Sequence, residues 1–376
     1  MKIALFGGSF DPVHSEHVAL ASAAKETLGL DRLIVIPSAT APHKLSGAVA
    51  SAQDRLELCR IAFRDLNAEI SPYEIERNDT SYSYLTCERF RAQYPDDELY
   101  FLVGADMLEN FPTWRYPERI LNCVTLVAGG RGENGAERAA ATIFQKYRKR
   151  VVLLPFTGKP VSSTEIRVKL AFGIKPVELD EAVYRDLKEK GIYSHPAILP
   201  ALELEKPERR EHSYRVAVMA AEHASAAGAD REKAILAAAL HDCGKYVPLS
   251  SPLLKGFRIP AEVPQNVPPS VLHQYTGAYL AEHEFGIRDI DLLNAIRFHT
   301  SGRKNMSQLE KLILIADMLE SGRDFEGIGE LRRAFDADID EGLRACLARQ
   351  LRYLRDKNFS VYPLTERAYE WIARQK

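Results

Sequence analysis

The chain is poor in the features that mark export, membranes and nucleic-acid tails. Its five cysteines (Cys59, Cys87, Cys123, Cys243 and Cys346) show no CxxC pair and no framework spacing, so they read as reduced thiols of a cytoplasmic protein. An excess of one charge is also missing: the formal net charge is -2, and nothing in it would hold a polynucleotide by charge alone. A nucleic-acid partner is therefore not expected. Long apolar runs are lacking too; the Ala-rich stretch at 235–240 is far too short to span a bilayer, and no membrane partner is expected. Met1 leads straight into the strand-like Lys2-Ile3-Ala4-Leu5-Phe6, without the regions of a signal peptide, which again points to the cytoplasm. Neither half contains an internal repeat or a low-complexity segment.

What is present is a folded composition, 46% hydrophobic and 27% charged, over 376 residues. That length exceeds what one hydrophobic core usually supports, so two domains are expected. Up to about residue 154, short β-branched or apolar runs at 2–6, 33–37, 69–75, 99–103, 124–128 and 151–154 alternate with helical patterns. Such alternation builds a doubly wound parallel sheet with helices on both faces, whose ligands gather at the carboxyl ends of the strands. An amphipathic helix at 178–190 ends at Gly191, and the proline-rich stretch that follows places the boundary near 196–207. Beyond it strand signals vanish. Helices are expected at 212–227, 231–241, 271–285, 290–298 and 307–321, the last opened by the capping-box pair Ser307 and Glu310.

The first strand delivers Gly7-Gly8-Ser9-Phe10-Asp11-Pro12-Val13-His14, with His17 three positions further on. Paired glycines let the backbone pass close to a phosphate, and the helix starting near Ser15 aims unpaired amides at the same place. His14 and His17 share one face of the first helical turn, where neutral imidazoles can donate to oxygens that gain charge in phosphoryl transfer. A second phosphate-binding pattern, Ser162-Ser163-Thr164-Glu165-Ile166-Arg167, opens another helix, and the basic loop Pro42-His43-Lys44 lies between the two. Three phosphate-binding elements and no acidic nucleophile point to nucleotidyl transfer by positioning and charge stabilisation.

These motifs, with Ser81-Tyr82, Thr86, Gly104-Ala105-Asp106, Phe111 and Trp114, resemble those of bacterial nicotinate-nucleotide adenylyltransferases over residues 1–195. The resemblance implies that His14, His17, Lys44 and Arg167 act on the ATP phosphates. It further implies that Gly7, Gly8, Ser9, Phe10, Ser162, Ser163 and Thr164 line the nucleotide path, with Gly104 and Asp106 against the nucleoside. Trp114 would stack on a pyridine ring and Thr86 would lie near nicotinate mononucleotide. The implied reaction joins that mononucleotide to the AMP of ATP, with Mg²⁺ entering on the phosphates and pyrophosphate leaving. Three positions depart from the family pattern: Glu16 replaces the glycine between the histidines, Ala41 a proline and Leu85 an aspartate. Phosphopantetheine adenylation and cytidylyl transfer, the related reactions, fit Ser162–Arg167 and Trp114 less well.

Histidine usage then shifts: six of the ten lie beyond residue 200. His241-Asp242 closes an Ala- and Leu-rich helix, and Asp317 falls on the apolar side of its own helix, where an unpaired carboxylate is costly and a metal would relieve the cost. The order His212, His241-Asp242 with Lys245, His273, His299 and Asp317 with Arg323 resembles the HD-domain metallophosphohydrolases, and within them the YqeK-type symmetrical diadenosine tetraphosphate hydrolases, over about 205–376. The resemblance implies one metal on His212, His241, Asp242 and Asp317 and a second on Asp242, His273 and His299. Iron is the expected ion, with Mn²⁺ as the alternative, and Lys245 and Arg323 contact phosphate. The ligand set itself supports hydrolysis of a phosphate ester or anhydride; diadenosine tetraphosphate and two ADP come from the resemblance. The alternative is an HD domain acting on another nucleotide phosphate, or a regulatory module that binds nucleotide without cleaving it. His223 and His283 match no element of the pattern and read as surface or packing residues. The fold class expected is thus α/β plus all-α: a Rossmann-like nucleotidyltransferase domain followed by a helical HD domain, with a homo-oligomer compatible with both.

Overall fold

The structure is a computed structural model that describes residues 1–39, 49–77, 80–130 and 134–375. Contacts divide the chain into two compact units, Met1–Ile166 with Lys175–Tyr193, and Arg167–Ile174 with Ser194–Lys376. The division falls within the helix Ser163–Ala171. No helix among the described residues is long and apolar enough to cross a membrane.

Six parallel strands form the first unit's sheet: β1 (Lys2–Gly8), β2 (Arg32–Pro37), β3 (Glu69–Ile70), β4 (Glu98–Val103), β5 (Thr125–Ala128) and β6 (Val152–Leu153), in the order β3-β2-β1-β4-β5-β6. Their middles are apolar because helices cover both faces: Ile3, Leu5, Ile34, Ile36 and Leu126 are fully buried. The order reverses between β1 and β4, and a crevice opens there at the carboxyl ends of the strands. β1 ends in that crevice at Gly8 and β4 at Val103. The third strand is shorter than its sequence pattern suggested: after Ile70 the chain turns at Ser71-Pro72 and runs as a helix from Tyr73 to Arg77. Proline lacks the N–H a strand ladder needs and suits a helix entry, which overrides the apolar Ile75.

Helices alone make up the second unit among the described residues. Pro207–His223 packs on Arg231–Leu240, Ile290–Phe298 lies against both Pro269–His283 and Gln308–Leu319, and Ile339–Asp356 backs the last of these. Leu312, Ile313, Ile315, Ala316 and Leu319 of Gln308–Leu319 are fully buried, so its apolar stripe is the centre of this core. The capping box at its start is formed: the Glu310 N–H donates to Ser307 Oγ (3.1 Å) and the Ser307 N–H to Glu310 Oε1 (3.3 Å). The sequence pattern had not separated Ile328–Ala337, Ile339–Asp356 and Pro363–Ile372 as helices.

Candidate functional site

In the first unit, β1 passes into a loop whose shape is set by two buried charges. The Asp11 carboxylate accepts the N–H groups of Val49 and Ala50 (3.1 Å each) and the Tyr193 hydroxyl (2.6 Å). Buried Arg55 donates to the carbonyls of Ser9 (2.8 Å), Ala39 (3.2 Å) and Ala50 (3.3 Å). Both bonds of this kind fix backbone that would otherwise wander, which keeps Gly7, Gly8 and Ser9 facing the crevice. Neither Asp11 nor Arg55 was singled out as a site residue in the sequence, and neither lies at a spacing that marks it.

The helix Ser15–Leu28 starts beside this loop. The His14 N–H donates to Nδ1 of His17 (3.2 Å), so a neutral His17 carries its proton on Nε2. The two rings lie with centroids 3.7 Å apart. Burial pushes the pKa of His14 down to about 4, opposed weakly by Glu178, and its ring is neutral at ordinary pH. A cleft of about 800 Å³ opens over the pair. Gly7, Gly8, Ser9, Phe10, His14, His17, Gly104, Asp106, Trp114 and Ser163 all line it. Phe10 does so from within the core, edge-on to Phe6, Phe63 and His17.

Other expected residues stand elsewhere. Thr86 is buried behind the cleft wall, and its hydroxyl donates to Glu74 Oε1 (2.6 Å); Glu74 itself lines the cleft. Ser162 caps its helix by accepting the Glu165 N–H (3.3 Å), and neither Ser162 nor Thr164 lines the cleft. Arg167 groups with the second unit, is buried, and has Nε 3.9 Å from Glu232. Lys44 and Ala41 lie outside the described residues. Arg115 and Lys159, which the sequence did not single out, line the cleft.

The second unit gathers six side chains from five helices and their ends. His212 comes from Pro207–His223; His241 and Asp242 follow Arg231–Leu240; His273 lies on Pro269–His283; His299 follows Ile290–Phe298; Asp317 lies on Gln308–Leu319. Close backbone approach makes this convergence feasible. A Cβ on Gly244 would sit 2.3 Å from the Gly277 nitrogen, so only glycine lets the turn after His241-Asp242 press onto the helix that carries His273. Asp242 Oδ1 lies 3.2 Å from His273 Nε2 and 3.8 Å from His299 Nε2, while its Oδ2 lies 3.5 Å from His241 Nε2. Asp317 Oδ1 lies 2.9 Å from His212 Nε2 and 4.0 Å from His241 Nε2. Two ligand groups result, His212 with His241 and Asp317, and His241 with Asp242 and His299.

Several features fit these groups to a cation. The Nδ1 atoms of His241 and His299 face the carbonyls of Ala238 (2.6 Å) and Ile296 (2.8 Å). A carbonyl only accepts, so each Nδ1 carries the proton and each neutral Nε2 turns a lone pair inward. His212 is oriented likewise, Nδ1 against Glu320 (3.0 Å), itself held by Arg215 (2.7 Å). The Nε2 atoms of His212 and His241 are buried and lie near carboxylate oxygens of Asp317 and Asp242 without forming a hydrogen bond to them. Charge agrees with geometry. Although burial opposes ionisation, the surrounding histidines hold Asp242 and Asp317 well below the usual carboxylate range. Burial pulls His241 down, yet Asp242 and Asp317 lift it to about 9, so the carboxylates draw positive charge to its Nε2, a proton or a metal ion in the proton's place; burial and the neighbouring histidines push His299 to about 3. Two ionised carboxylates among inward-facing lone pairs call for positive charge.

Cations flank the cluster. Lys245 Nζ lies 3.1 Å from each Asp242 oxygen, and Arg323 donates to Asp317 Oδ1 (3.0 Å). Arg209, missed in the sequence, lies 3.2 Å from Asp242 Oδ2. Its place one turn before His212, on the same helix face, is a signal that could have found it. A cavity of about 240 Å³ adjoins the cluster, lined by His299, Thr300, Asp317, Arg323, Phe325 and Gln350 among others. His223 bonds Asp336 (3.2 Å) and His283 stacks on Tyr279 (4.0 Å between centroids), both outside the ligand groups.

The parallel-sheet crevice with its glycine loop and histidine pair, joined to a helical unit with a His-Asp cluster, defines a nucleotidyltransferase-type domain followed by an HD-type domain. Family models agree: the cytidylyltransferase-like family matches residues 5–169 and the HD domain residues 209–322. A probable nicotinate-nucleotide adenylyltransferase/Ap4A hydrolase of Mycoplasma pneumoniae is 31% identical over 323 residues, 86% of this chain and 89% of that one. The chain belongs to this family of two-domain fusions. Relatives that carry one of the two names each match about half of the chain. A probable nicotinate-nucleotide adenylyltransferase of Thermus thermophilus is 38% identical over 46% of this chain and 88% of its own. The symmetrical bis(5'-nucleosyl)-tetraphosphatase of Bacillus subtilis is 38% identical over 46% of this chain and 95% of its own. Among solved structures, an HD superfamily hydrolase from Clostridium acetobutylicum is 34% identical, covers 48% of this chain and 96% of its own, and has a TM-score of 0.44.

Proposed function

We propose that the first domain transfers AMP from ATP to nicotinate mononucleotide, and that the second hydrolyses diadenosine tetraphosphate to two ADP at a divalent-metal centre. The observation that carries this reading is the pairing, in one chain of the fusion family, of a cleft over His14 and His17 with an inward-facing His-Asp cluster. In the first reaction a phosphate oxygen of the mononucleotide bonds to the α-phosphorus as the α–β bridging P–O bond breaks. Pyrophosphate leaves with the electron pair. His17 donates from Nε2–H to the phosphate oxygens, neutral His14 adds a second donor, and the amides opening the helix Ser15–Leu28 add their dipoles. Trp114 stacks on the pyridine ring, Gly104 and Asp106 face a nucleoside, and Ser163 opens the second phosphate-binding turn. Lys44 and Arg167 remain proposals from family resemblance, with Mg²⁺ accompanying ATP.

In the second domain His212, His241, Asp242, His273, His299 and Asp317 hold the metal, proposed as two iron ions with manganese as the substitute. Such ions supply Lewis-acid polarisation of phosphate oxygens and acidify a water molecule. The chain's part is to hold the tetraphosphate so that attack falls on the central anhydride. Arg209 and Lys245 pair with Asp242 and Arg323 with Asp317, which supports a role for all three in taking up phosphate charge. Both activities are tested with the full-length, metal-reconstituted protein, by pyrophosphate release from ATP plus nicotinate mononucleotide and by chromatography of the products from diadenosine tetraphosphate. Bound metal without ADP formation would leave the HD site to another nucleotide phosphate or to regulation.

A further inference from the structure

The transferase cleft must take two polyanions, yet its described lining is short of cations. Among the described lining residues Arg115 and Lys159 are the only arginine or lysine, against the carboxylates of Asp11, Glu16, Glu74 and Asp106. Arg115 belongs to the aromatic side: it follows Trp114 and lies over the rings of Tyr82 (4.7 Å) and Tyr116 (5.4 Å). Lys159 stands at the other side, against the first turn of the helix Ser15–Leu28. Glu16 of that turn accepts the Lys159 backbone N–H at 2.9 Å. The approach is close enough that a Cβ on Gly158 would lie 3.1 Å from the same carboxylate oxygen. Further back the segment is tied again, where the Gly130 N–H donates to the Phe156 carbonyl (2.8 Å).

A carboxylate between the two phosphate-site histidines would ordinarily repel ATP. Here its contact is with a backbone amide, which draws off part of its charge and leaves the lysine ammonium uncommitted by that bond. The residue so tethered is a lysine that lines the same cleft as His14 and His17, held by a side chain of the helix turn that carries them. We propose that Lys159 binds the triphosphate of ATP and that Glu16 is the positioning residue that holds Lys159 there. This rests on the adenylyltransferase reading of the cleft. It also accounts for the glutamate where the family usually has glycine: the charge cost is offset by delivery of a cation.

The experiment uses the full chain, with ATP binding followed by calorimetry and turnover by pyrophosphate release. Lys159→Ala is expected to raise both Kd and KM for ATP about tenfold, with KM for nicotinate mononucleotide unchanged, and Lys159→Arg to restore most of the loss. Glu16→Ala weakens ATP by a similar factor, while Glu16→Gln, whose amide oxygen still accepts the N–H, binds ATP as well as the wild type or better. Glu16→Ala combined with Lys159→Ala is no weaker than Lys159→Ala alone, because both act through one contact. Unaltered ATP binding by Lys159→Ala overturns the inference, as does tighter binding by Glu16→Ala, which would make Glu16 a repelling charge only. A wild-type protein that binds ATP with this Lys159 dependence but releases no pyrophosphate overturns the adenylyltransferase reading and leaves the phosphate contact standing.

Discussion

The two sites solve the same problem, stabilising phosphate charge, with opposite materials. The transferase cleft is wide, and its donors at the end of β1 are backbone and imidazole: two glycines, helix-opening amides and the close pair His14 and His17. The HD cluster is compact and ionic, with Asp242 almost wholly buried among histidines and flanked by Arg209, Lys245 and Arg323. Backbone donors are hard to remove by mutation and tolerate drift in side chains. An ionic cluster is brittle, because deleting one member leaves its partners buried and uncompensated.

That contrast orders the expected effects. Asp242→Ala removes the carboxylate shared by His241, His273 and His299, and should abolish ADP formation and metal content while pyrophosphate release stays at the wild-type level; metal analysis alongside both assays checks this. Gly244→Ala should approach the same loss without touching a ligand, since a Cβ there meets the Gly277 backbone at 2.3 Å; a circular-dichroism melt would show whether the second domain loosens with it. In the cleft, His17→Ala should lower kcat for pyrophosphate release about a hundredfold, the scale for one donor to developing phosphate charge. Glu320→Gln, which orients His212 from behind, should weaken metal binding about tenfold in a chelator competition.

The smallest effect concerns pH. His14 titrates near 4 in the folded protein against 6.5 unfolded, so between those values the unfolded chain binds more protons. The stability contributed by its neutral ring is complete above pH 6.5 and is lost as pH falls towards 4. Going from pH 6.5 to 5, the first domain of His14→Gln should lose about 2 kcal/mol less stability than the wild type in denaturant titrations. Equal losses would place the His14 pKa near its unfolded value and deny the ring its neutral, buried role.

Legibility followed the same divide. Glycine spacing, the histidine pair and the alternation of strands and helices are local signals, and they located β1, the cleft and the sheet from sequence. The order of His212, His241-Asp242, His299 and Asp317 likewise picked out side chains that the fold brings into two groups, with His273 beside Asp242, although they come from five helices. What the sequence hid are partners chosen by tertiary contact: Arg55 holding the carbonyls of Ser9 and Ala39, Glu74 receiving the Thr86 hydroxyl, and Glu16 meeting an amide 143 positions away. Pro72 was legible as a breaker, but the run of Glu69 to Ile70 into Ile75 outweighed it in the strand pattern. Arg167 shows the limit of a motif: its neighbour Ser163 lines the cleft, while the arginine itself is buried near Glu232.

The central claim, two independent phosphate chemistries on one chain, is tested most directly by product analysis on a single preparation of metal-reconstituted protein. Given diadenosine tetraphosphate, it should yield ADP as the sole nucleotide product, a signal lost in Asp242→Ala, while both proteins release pyrophosphate from ATP and nicotinate mononucleotide. AMP and ATP in place of ADP, or no hydrolysis with metal bound, would contradict the account of the second site; loss of pyrophosphate release in Asp242→Ala would contradict the independence of the two.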